Sequence, residues 1–317
     1  MYKSVLEERI NYHYLVPWIV KSFIGAWCYC PGMAQVREVR QALRAYSTIE
    51  GAGVRLHRAF GYGELPDFDP FLMLDDFRAG DNPADYIAGF PWHPHRGIET
   101  VTYMLEGRVE HGDSMGNAGD INRGDIQWMT AGSGIIHQEM PKPTGGRMGG
   151  FQLWVNLPRS HKMMPPRYQE ISSDRVPVTS PAPGVSVKVI CGDLSGVTGA
   201  VKNIVTDPVY LDVTIDPGNG FDIPVKRDYT VAAYIIGGGG SFGAENGNGF
   251  GNRDMILFGD GDLVRATAAG RAFRFLLLSG RPIREPVAWG GPIVMNTQDE
   301  LKQAFREYRD GTFIRNY

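Results

Sequence analysis

Cysteine is scarce in this chain, since only Cys28, Cys30 and Cys191 occur among 317 residues. Three cysteines cannot supply a disulfide framework, which predicts a reducing compartment and hence the cytoplasm. Cys28 and Cys30 form a CxC pair that resembles half of a metal site. No further Cys or His lies close to the pair in sequence, so the pair alone does not predict a metal centre.

The chain also lacks an excess of positive charge and a long apolar run. Its formal net charge is -3, whereas a protein that binds nucleic acid directly usually has a basic surface. The most apolar stretch, residues 14–30, is interrupted by Lys21 and is too short and broken for a transmembrane helix. Glu7 and Glu8 stand where a signal peptide carries positive charge. We therefore expect no direct nucleic-acid binding, no membrane anchor and no secretion.

The N-terminal region differs from the rest of the sequence. The run MAQVREVRQ, which begins at Met33, is typical of an ordinary protein start. One hypothesis is that translation begins at Met33 and that the preceding residues are an artefact of gene prediction. In either case residues 1–43 form an N-terminal extension to the first domain.

Turn-forming residues are abundant, with 41 Gly and 21 Pro. Short alternating runs lie between them, for example ETVTYMLEGRVEHGD, which turns at Glu106 and Gly107. Many short strands at regular spacing predict an all-β antiparallel sandwich or barrel. A proline-rich stretch interrupts the pattern and indicates a linker over residues 161–199, after which the strands resume. The predicted domains are therefore two barrels of similar size, 44–160 and 200–313.

The end of the chain has a different periodicity. Thr297 and Glu300 form a capping box, and Gly311 is a stop signal. Leu301 and Tyr308 fall on one helical face together with Phe305. The sequence therefore predicts a short C-terminal helix that packs on a barrel.

Two pairs of ligand-type residues stand at strand spacing in the first half of the chain. His93 and His95 are two residues apart, as are His137 and Glu139, and side chains two apart on a strand point to the same face. Imidazoles with one carboxylate suit Fe, Ni, Cu, Mn or Zn better than Ca or Mg. Glu99, four residues after His95, is an alternative carboxylate ligand or a hydrogen-bond partner of a ligand if the strand stays regular.

Histidine placement separates the two halves. Of seven histidines, none follows His161. The second barrel therefore cannot rebuild a histidine metal site, and we expect it to lack a metal.

The pattern HxH, a glycine turn and a later histidine is typical of cupins, which are small double-stranded β-helix barrels. The longer strings HPHRGIETVTYMLEG, GDIQWMTAGSGIIHQEMP, FQLWVNLP and EPVAWGGPIVMNTQDEL closely resemble the pirin family, from about Arg44 to Phe313. The resemblance implies a bicupin fold, with two jelly-roll barrels and a short C-terminal helix. It also implies one divalent metal ion in the first barrel, usually Fe(II), with Ni, Mn, Cu or Zn as alternatives.

The family's metal ligands fall on residues that are all present here: His93, His95, His137 and Glu139. The resemblance therefore favours Glu139 over Glu99 as the carboxylate ligand. General cupins take this ligand from the first motif, and the pirin family takes it from the second.

The resemblance also implies an activity, because some members of the family are quercetin 2,3-dioxygenases. The substrates would be O2 and a small aromatic molecule such as a flavonol, cleaved with release of CO. Glu139 is the candidate catalytic residue, as metal ligand and base in turn.

Aromatic side chains are candidates for lining a flat substrate pocket, namely Trp92, Trp128, Phe151 and Trp154. Alternation along FQLWVNLP puts Gln152 and Trp154 on one face, opposite Phe151 and Leu153, so only one of these pairs should see the cavity.

Two other functions fit the same fold. One is a non-enzymatic iron-binding redox sensor that regulates a protein partner through its surface, for which the basic run Arg37, Arg40, Arg44, Arg55 and Arg58 is a candidate. The other is a different oxygenase or isomerase, since one fold hosts many reactions. An open cavity beside the metal favours an enzyme, and a plugged site favours a sensor.

Overall fold

The computed structural model of the protein describes four segments of the chain, residues 34–78, 82–142, 147–244 and 249–315. The hypothesis that translation begins at Met33 and the question of a metal role for Cys28 and Cys30 lie outside these residues. Within these segments, no helix has the length and apolar character needed to cross a bilayer.

The described chain is built almost entirely of short strands. The strands up to residue 171 are β1 Val39–Arg44, β2 Tyr46–Glu50, β3 Val54–Phe60, β4 Phe71–Asp76, β5 Phe90–His95, β6 Ile98–Glu106, β7 Arg108–Asp113, β8 Ala118–Ile121, β9 Ile126–Thr130, β10 Ile135–Lys142, β11 Gly149–Asn156 and β12 Arg167–Ile171. Those after it are β13 Val178–Thr179, β14 Val185–Cys191, β15 Asp193–Leu194, β16 Val197–Thr198, β17 Val209–Ile215, β18 Gly220–Pro224, β19 Thr230–Gly237, β20 Gly239–Phe242, β21 Phe250–Gly251, β22 Asp254–Phe258, β23 Leu263–Ala268, β24 Phe273–Gly280, β25 Ala288–Gly290 and β26 Ile293–Met295. The helices are α1, Gln298–Arg309, and three 3₁₀ turns at Tyr62–Glu64, Pro83–Asp85 and Ser173–Arg175.

These strands form two barrels of the same design. In the first, a seven-stranded sheet in the order β12-β9-β6-β11-β4-β3-β2 faces a four-stranded sheet, β5-β10-β7-β8. In the second, the order β1-β22-β19-β24-β17-β14-β13 faces β18-β23-β20-β21. The predicted all-β bicupin fold is therefore confirmed.

The predicted domain boundaries differ from the observed strand pairing. Strand β1, assigned by sequence to the N-terminal extension, pairs with β22 of the second barrel. The predicted linker 161–199 also contains sheet strands, because β12 pairs with β9 of the first barrel and β14 pairs with β17 of the second. The prolines of this stretch fall mainly between the strands, so they separate the strands without preventing their pairing.

The two seven-stranded sheets pack against each other through one shared apolar core. This core contains Phe151 and Trp128 of the first barrel, and Leu276 and Tyr234 of the second. Burial of such a continuous apolar surface is the main driving force that holds the barrels together.

Two buried tyrosines cross this core in opposite directions. Tyr103 of the first barrel donates to Asp212 of the second over 2.7 Å, and Tyr234 of the second donates to Asp76 of the first over 2.9 Å. Each carboxylate also accepts from an arginine of its own barrel, so neither charge is buried without a partner. The hydrogen bonds fix the relative position of sheets that apolar contact alone would let slide.

The two barrel interiors are filled differently. The second is packed with apolar side chains, including a cluster of phenylalanines around Phe242. The first buries polar groups in the corresponding place, among them His95, His137 and Glu139. In place of these polar groups, the described interior of the second barrel has apolar side chains.

The predicted C-terminal helix is confirmed as α1. Its capping box is formed, since the Thr297 hydroxyl accepts from the Glu300 N–H and the Glu300 carboxylate accepts from the Thr297 N–H. Leu301 is buried, whereas Phe305 remains partly exposed, so only the inner part of the apolar face is covered. The helix packs on β25 and β26, which lie over the first barrel.

Replacement of Leu276 by Ala tests the shared core. Leu276 is fully buried between the barrels, so we expect the free energy of unfolding to fall by about 2–5 kcal/mol. Because both barrels use this core, the fluorescence of the six tryptophans, among them Trp128 and Trp154 of the first barrel, and circular dichroism should show one coincident transition that shifts as a whole. A variant whose fluorescence transition stays at the wild-type midpoint would show that the barrels unfold independently.

Candidate metal centre

Three histidines from neighbouring strands converge inside the first barrel. His93 and His95 lie on β5, and His137 on β10 stands directly opposite His93 in the ladder. The Nε2 atom of His93 is 3.1 Å from Nε2 of His95 and 3.0 Å from Nε2 of His137. Two nitrogens that share one ion at roughly 2.1 Å lie about 3 Å apart when their bonds are at right angles, so this spacing fits a metal centre.

Hydrogen bonds at the other ring nitrogens assign the proton positions. Nδ1 of His93 lies 2.9 Å from the carbonyl oxygen of Pro91, and Nδ1 of His95 lies 3.1 Å from that of Pro292. A carbonyl accepts only, so each Nδ1 carries the proton and each Nε2 presents a lone pair. Lone pairs 3.1 Å apart with no proton between them repel, and a cation between them removes the repulsion. The cluster thus fits a divalent metal ion.

Burial keeps two of these imidazoles neutral. The pKa values of His95 and His137 are well below the usual histidine value, first because burial disfavours the charged ring and second because neighbouring imidazoles repel it. Neutral imidazole is the form that binds metal. In the described part of the chain, this is the one group of three or more His, Cys, Asp or Glu side chains close enough to hold an ion.

The fourth predicted ligand, Glu139, lies near this cluster but is not part of it. Its side chain is buried, yet the cluster of mutually close ligand atoms comprises the three histidines alone. Its carboxylate accepts 2.9 Å hydrogen bonds from the Thr102 hydroxyl and from the Gln152 amide. Its role as a ligand therefore stays a prediction.

Glu99, the alternative carboxylate, points away from the histidines. Gly97, at φ +78, breaks the regular alternation between His95 and Glu99 and starts a new strand. Residues that stand opposite each other on neighbouring strands face the same side of the sheet. Glu99 is paired with Val155, which belongs to the core shared by the barrels, whereas Thr102 is paired with Gln152, which lines the cavity beside the histidines. The prediction that Glu99 shares the face of His95 is wrong, because it assumed one regular strand, and the strand is broken between His95 and Ile98.

An open cavity of about 710 Å³ adjoins the cluster and has His93 and His95 in its wall. The ring of Trp154 meets the ring of His95 edge-on, with 5.0 Å between the ring centroids, and the centroids of Trp289 and Trp154 are 5.8 Å apart. Tyr62 extends this aromatic wall, at 5.7 Å from Trp289. Ligand pockets are typically roughly 300–1,000 Å³, so the cavity has the size of a small-molecule site.

The cavity is also lined by polar side chains. Arg58 donates two parallel hydrogen bonds of 2.8 Å to Asp75 and lies 2.9 Å from Glu50. All three residues line the cavity together with Gln152. The cavity can thus hold a flat molecule with an apolar face and polar groups at its edge.

Of the four aromatic residues predicted to line the pocket, only Trp154 does so. Trp128 and Phe151 are buried in the core between the barrels, and Trp92 is exposed on the outside. Gln152 and Trp154 face the cavity together, as their alternation along the strand predicts.

Residues from the end of the chain complete the site, and no sequence motif predicts a role for them. Pro292, in the turn after β25, contacts His95 from 197 residues further along the chain, and Trp289 of β25 contacts Trp154. The buried ammonium of Lys162 joins the two regions by donating to the carbonyls of Gly97 and Val294 and to Asn156. Burial lowers the pKa of Lys162 to about 7. No local pattern signals such long-range contacts.

Comparison with known proteins agrees with this arrangement. The Pirin family matches residues 53–155, and the Pirin C-terminal cupin domain matches residues 210–314. A pirin-like protein of Caulobacter vibrioides is 47% identical over 279 residues, which cover 88% of this chain and 99% of that protein.

Two solved structures extend the comparison. A quercetin 2,3-dioxygenase from Acinetobacter baumannii superposes with a TM-score of 0.82 at 31% identity, over 88% of this chain and 98% of that one. A bacterial pirin from Escherichia coli, solved in complex with nickel(II), shares the fold at a TM-score of 0.58 and 22% identity, over 76% of this chain and 99% of that one.

Metal analysis of two variants tests the cluster. We expect His137→Ala to lose bound metal and to remain folded, because the shared core between the barrels does not depend on the ion. Glu99→Gln is the matched control and should retain metal, since Glu99 faces the core. Loss of metal from Glu99→Gln and retention by His137→Ala, measured by elemental analysis of the purified proteins, would reverse the assignment.

Glu99 also predicts a specific pH dependence of stability. Burial raises the pKa of Glu99 to about 6, above its ordinary value of 4.5. The neutral form of Glu99 therefore contributes fully to the free energy of unfolding below pH 4.5. This contribution is lost as the pH rises through 6, which lowers the free energy of unfolding by about 2 kcal/mol. Glu99→Gln should be more stable than the wild type at pH 7.5 and gain little at pH 4.5, as measured by urea unfolding. An equal change at both pH values would contradict the assigned burial effect.

Proposed function

Because the chain belongs to the pirin family, we propose that it is a metal-dependent dioxygenase that cleaves a flavonol such as quercetin with O2 and releases CO. The observation that supports this most directly is the open cavity of about 710 Å³ beside the histidine cluster. A site used only to sense the state of a metal has no need of a cavity with the size of an aromatic substrate.

The lining of the cavity suits a flavonol in particular. Trp154 and Trp289 give it apolar aromatic surfaces on which a planar ring system can pack. Arg58, Asp75 and Glu50 line the same cavity, where donors and acceptors can meet ring hydroxyl groups.

We propose Fe(II) as the resident ion, held by His93, His95 and His137, with Ni, Mn, Cu or Zn as alternatives. When bound, the ion would act as a Lewis acid that lowers the pKa of the flavonol 3-hydroxyl group and orients the substrate for reaction with O2. The hydrogen bonds at Nδ1 of His93 and His95 keep both rings in orientation for this role.

Glu139 is the proposed base, and it is also the proposed fourth ligand because it follows His137 on the same inward face of β10. Its two oxygens are held by Thr102 and Gln152, which leaves each oxygen one further lone pair. A proton from the substrate hydroxyl would be taken up at Oε2, because Gln152, which binds this oxygen, lines the cavity. Both atoms of O2 enter the ring-opened product, and one ring carbon leaves as CO.

The alternative, an iron-binding redox sensor that acts on a protein partner, draws less support from the surface. The basic run proposed for it is largely paired. Arg37 is buried and donates to backbone carbonyls, whereas Arg40, Arg44 and Arg55 each pair with an aspartate. Arg58 lies in the cavity wall. A continuous unpaired basic surface, which would favour the sensor, is absent from this set of five residues.

Anaerobic loading with Fe(II), and separately with Ni, Mn and Cu, followed by quercetin and O2 tests the activity. We expect metal-dependent CO release that His93→Ala abolishes, since that variant lacks a ligand. Glu139→Gln should lower kcat about 10²–10⁴-fold, the usual contribution of general acid–base catalysis. Elemental analysis of Glu139→Gln distinguishes loss of a ligand from loss of a base.

Gln138→Glu is a matched control for that variant, because Gln138 is next in the chain but points to the other face of β10. It should leave CO release close to that of the wild type. Stoichiometric metal without turnover by any of the four loaded forms would contradict the dioxygenase and favour the sensor.

A further inference from the structure

A second cavity, of about 480 Å³, lies at the junction of the two barrels. It shares no lining residue with the cavity beside the histidines. Its charged lining residues are six cations and one carboxylate: Arg78, Arg123, Arg147, Lys188, Arg253, Arg274 and Glu106. This concentration of positive charge stands out in a chain whose formal net charge is -3.

Two of the arginines form the floor of this interbarrel cavity and are already neutralised. Arg78 donates to both oxygens of Asp76, and Arg274 donates to both oxygens of Asp212. These carboxylates also accept from the tyrosines that cross between the barrels. The floor is therefore rigid, and its charges are fixed by the same network that holds the barrels together.

Two further cations of the lining leave positive charge without a counterion. Arg123 is exposed and Lys188 is half-buried, and neither has a hydrogen-bonded or ion-paired partner among the described residues. Both reach the interbarrel cavity, Arg123 from the first barrel and Lys188 from the second. An anion bound there would contact both barrels at once.

Arg253 adds a further, partly exposed cation to the lining. Its Nε atom is buried and makes no hydrogen bond within the described chain, and the nearest carboxylate oxygen, on Asp76, is 3.7 Å away. Its Nη1 donates to His57 over 3.0 Å, and the pKa of His57 is lowered by burial and by this cation. The residue adopts φ +72, a left-handed conformation that is unfavourable for arginine. Arg253 thus holds a cation of the second barrel against the first barrel, and its charge adds to the positive potential of the cavity.

We propose that the interbarrel cavity binds a small molecule that carries phosphate groups. Guanidinium groups match phosphate oxygens in geometry as well as charge, and cations contributed by both barrels suit a ligand with more than one negative charge. The volume fits a metabolite-sized ligand. Two aromatic rings lie nearby. Tyr103 is buried and donates to Asp212, and Phe151 is buried in the shared core under the guanidinium of Arg78, so neither ring is free to stack on a nucleobase.

Titration calorimetry with inorganic phosphate and with pyrophosphate, in chloride buffer of low ionic strength, tests the proposal. We expect pyrophosphate to bind more tightly than phosphate, with an affinity that falls as salt is added. The double variant Arg123→Ala with Lys188→Met should raise Kd at least tenfold. Arg271→Ala, which removes an exposed arginine elsewhere on the second barrel, should bind like the wild type.

Three further measurements separate binding in the interbarrel cavity from binding elsewhere and from binding of other ligand classes. Pyrophosphate chelates metals, so His93→Ala should bind it with the wild-type Kd, and loss of binding there would assign the signal to the metal centre. Citrate should bind at least tenfold more weakly, and equal affinity would overturn the choice of phosphate. Single-stranded DNA that binds more tightly than pyrophosphate and is displaced by it would identify a nucleic-acid surface instead.

The proposal is overturned if neither phosphate nor pyrophosphate binds, or if the double variant binds pyrophosphate as the wild type does. The thermal midpoint of each variant without ligand serves as the folding control, and it should be unchanged because both side chains are solvent-accessible. A ligand that contacts both barrels should also raise the thermal midpoint of the wild type but not that of the double variant.

Discussion

The orientation of the imidazole rings is the constraint on which the rest of the site depends. The carbonyls of Pro91 and Pro292 hold the protons of His93 and His95 at Nδ1, so the Nε2 lone pairs face inward at 3.1 Å. One of these carbonyls belongs to the first barrel and the other to the end of the chain. The metal centre of the first barrel is therefore complete only when the C-terminal segment is in position. The tyrosines between the barrels and Lys162 stabilise that arrangement.

The two barrels show how one fold supports different roles. Both are made of a seven-stranded and a four-stranded sheet, and they share a core between their larger sheets. The first barrel keeps buried polar groups and a cavity, whereas the second is filled by side chains such as Phe242, Phe273 and Phe275. The filled barrel contributes rigidity, and the segment that follows it contributes Trp289 and Pro292 to the site. The histidine cluster of the described chain thus lies in the first barrel and is supported from both halves.

Much of this was predictable from sequence where the signals were local. Alternation in strands placed His93 with His95 and Gln152 with Trp154, and the capping box located the terminal helix. Local reasoning failed where a single residue changed the alternation, as Gly97 does before Glu99. Partners that are far apart in the chain were also beyond it. The contact of Trp289 with Trp154 depends on how two barrels dock, which no window of sequence contains. The proline-rich stretch after residue 160 shows the same limit, because short edge strands such as β12 carry little apolar patterning and depend on neighbours that the sequence does not identify.

X-ray absorption at the iron edge, on Fe(II)-loaded protein kept anaerobic and measured with and without quercetin, tests the central claim most directly. The account predicts three imidazole nitrogens around the ion and a clear change in the spectrum when the flavonol binds, because the cavity opens on the cluster. A spectrum without imidazole scattering, or one that saturating quercetin leaves unchanged, would contradict it.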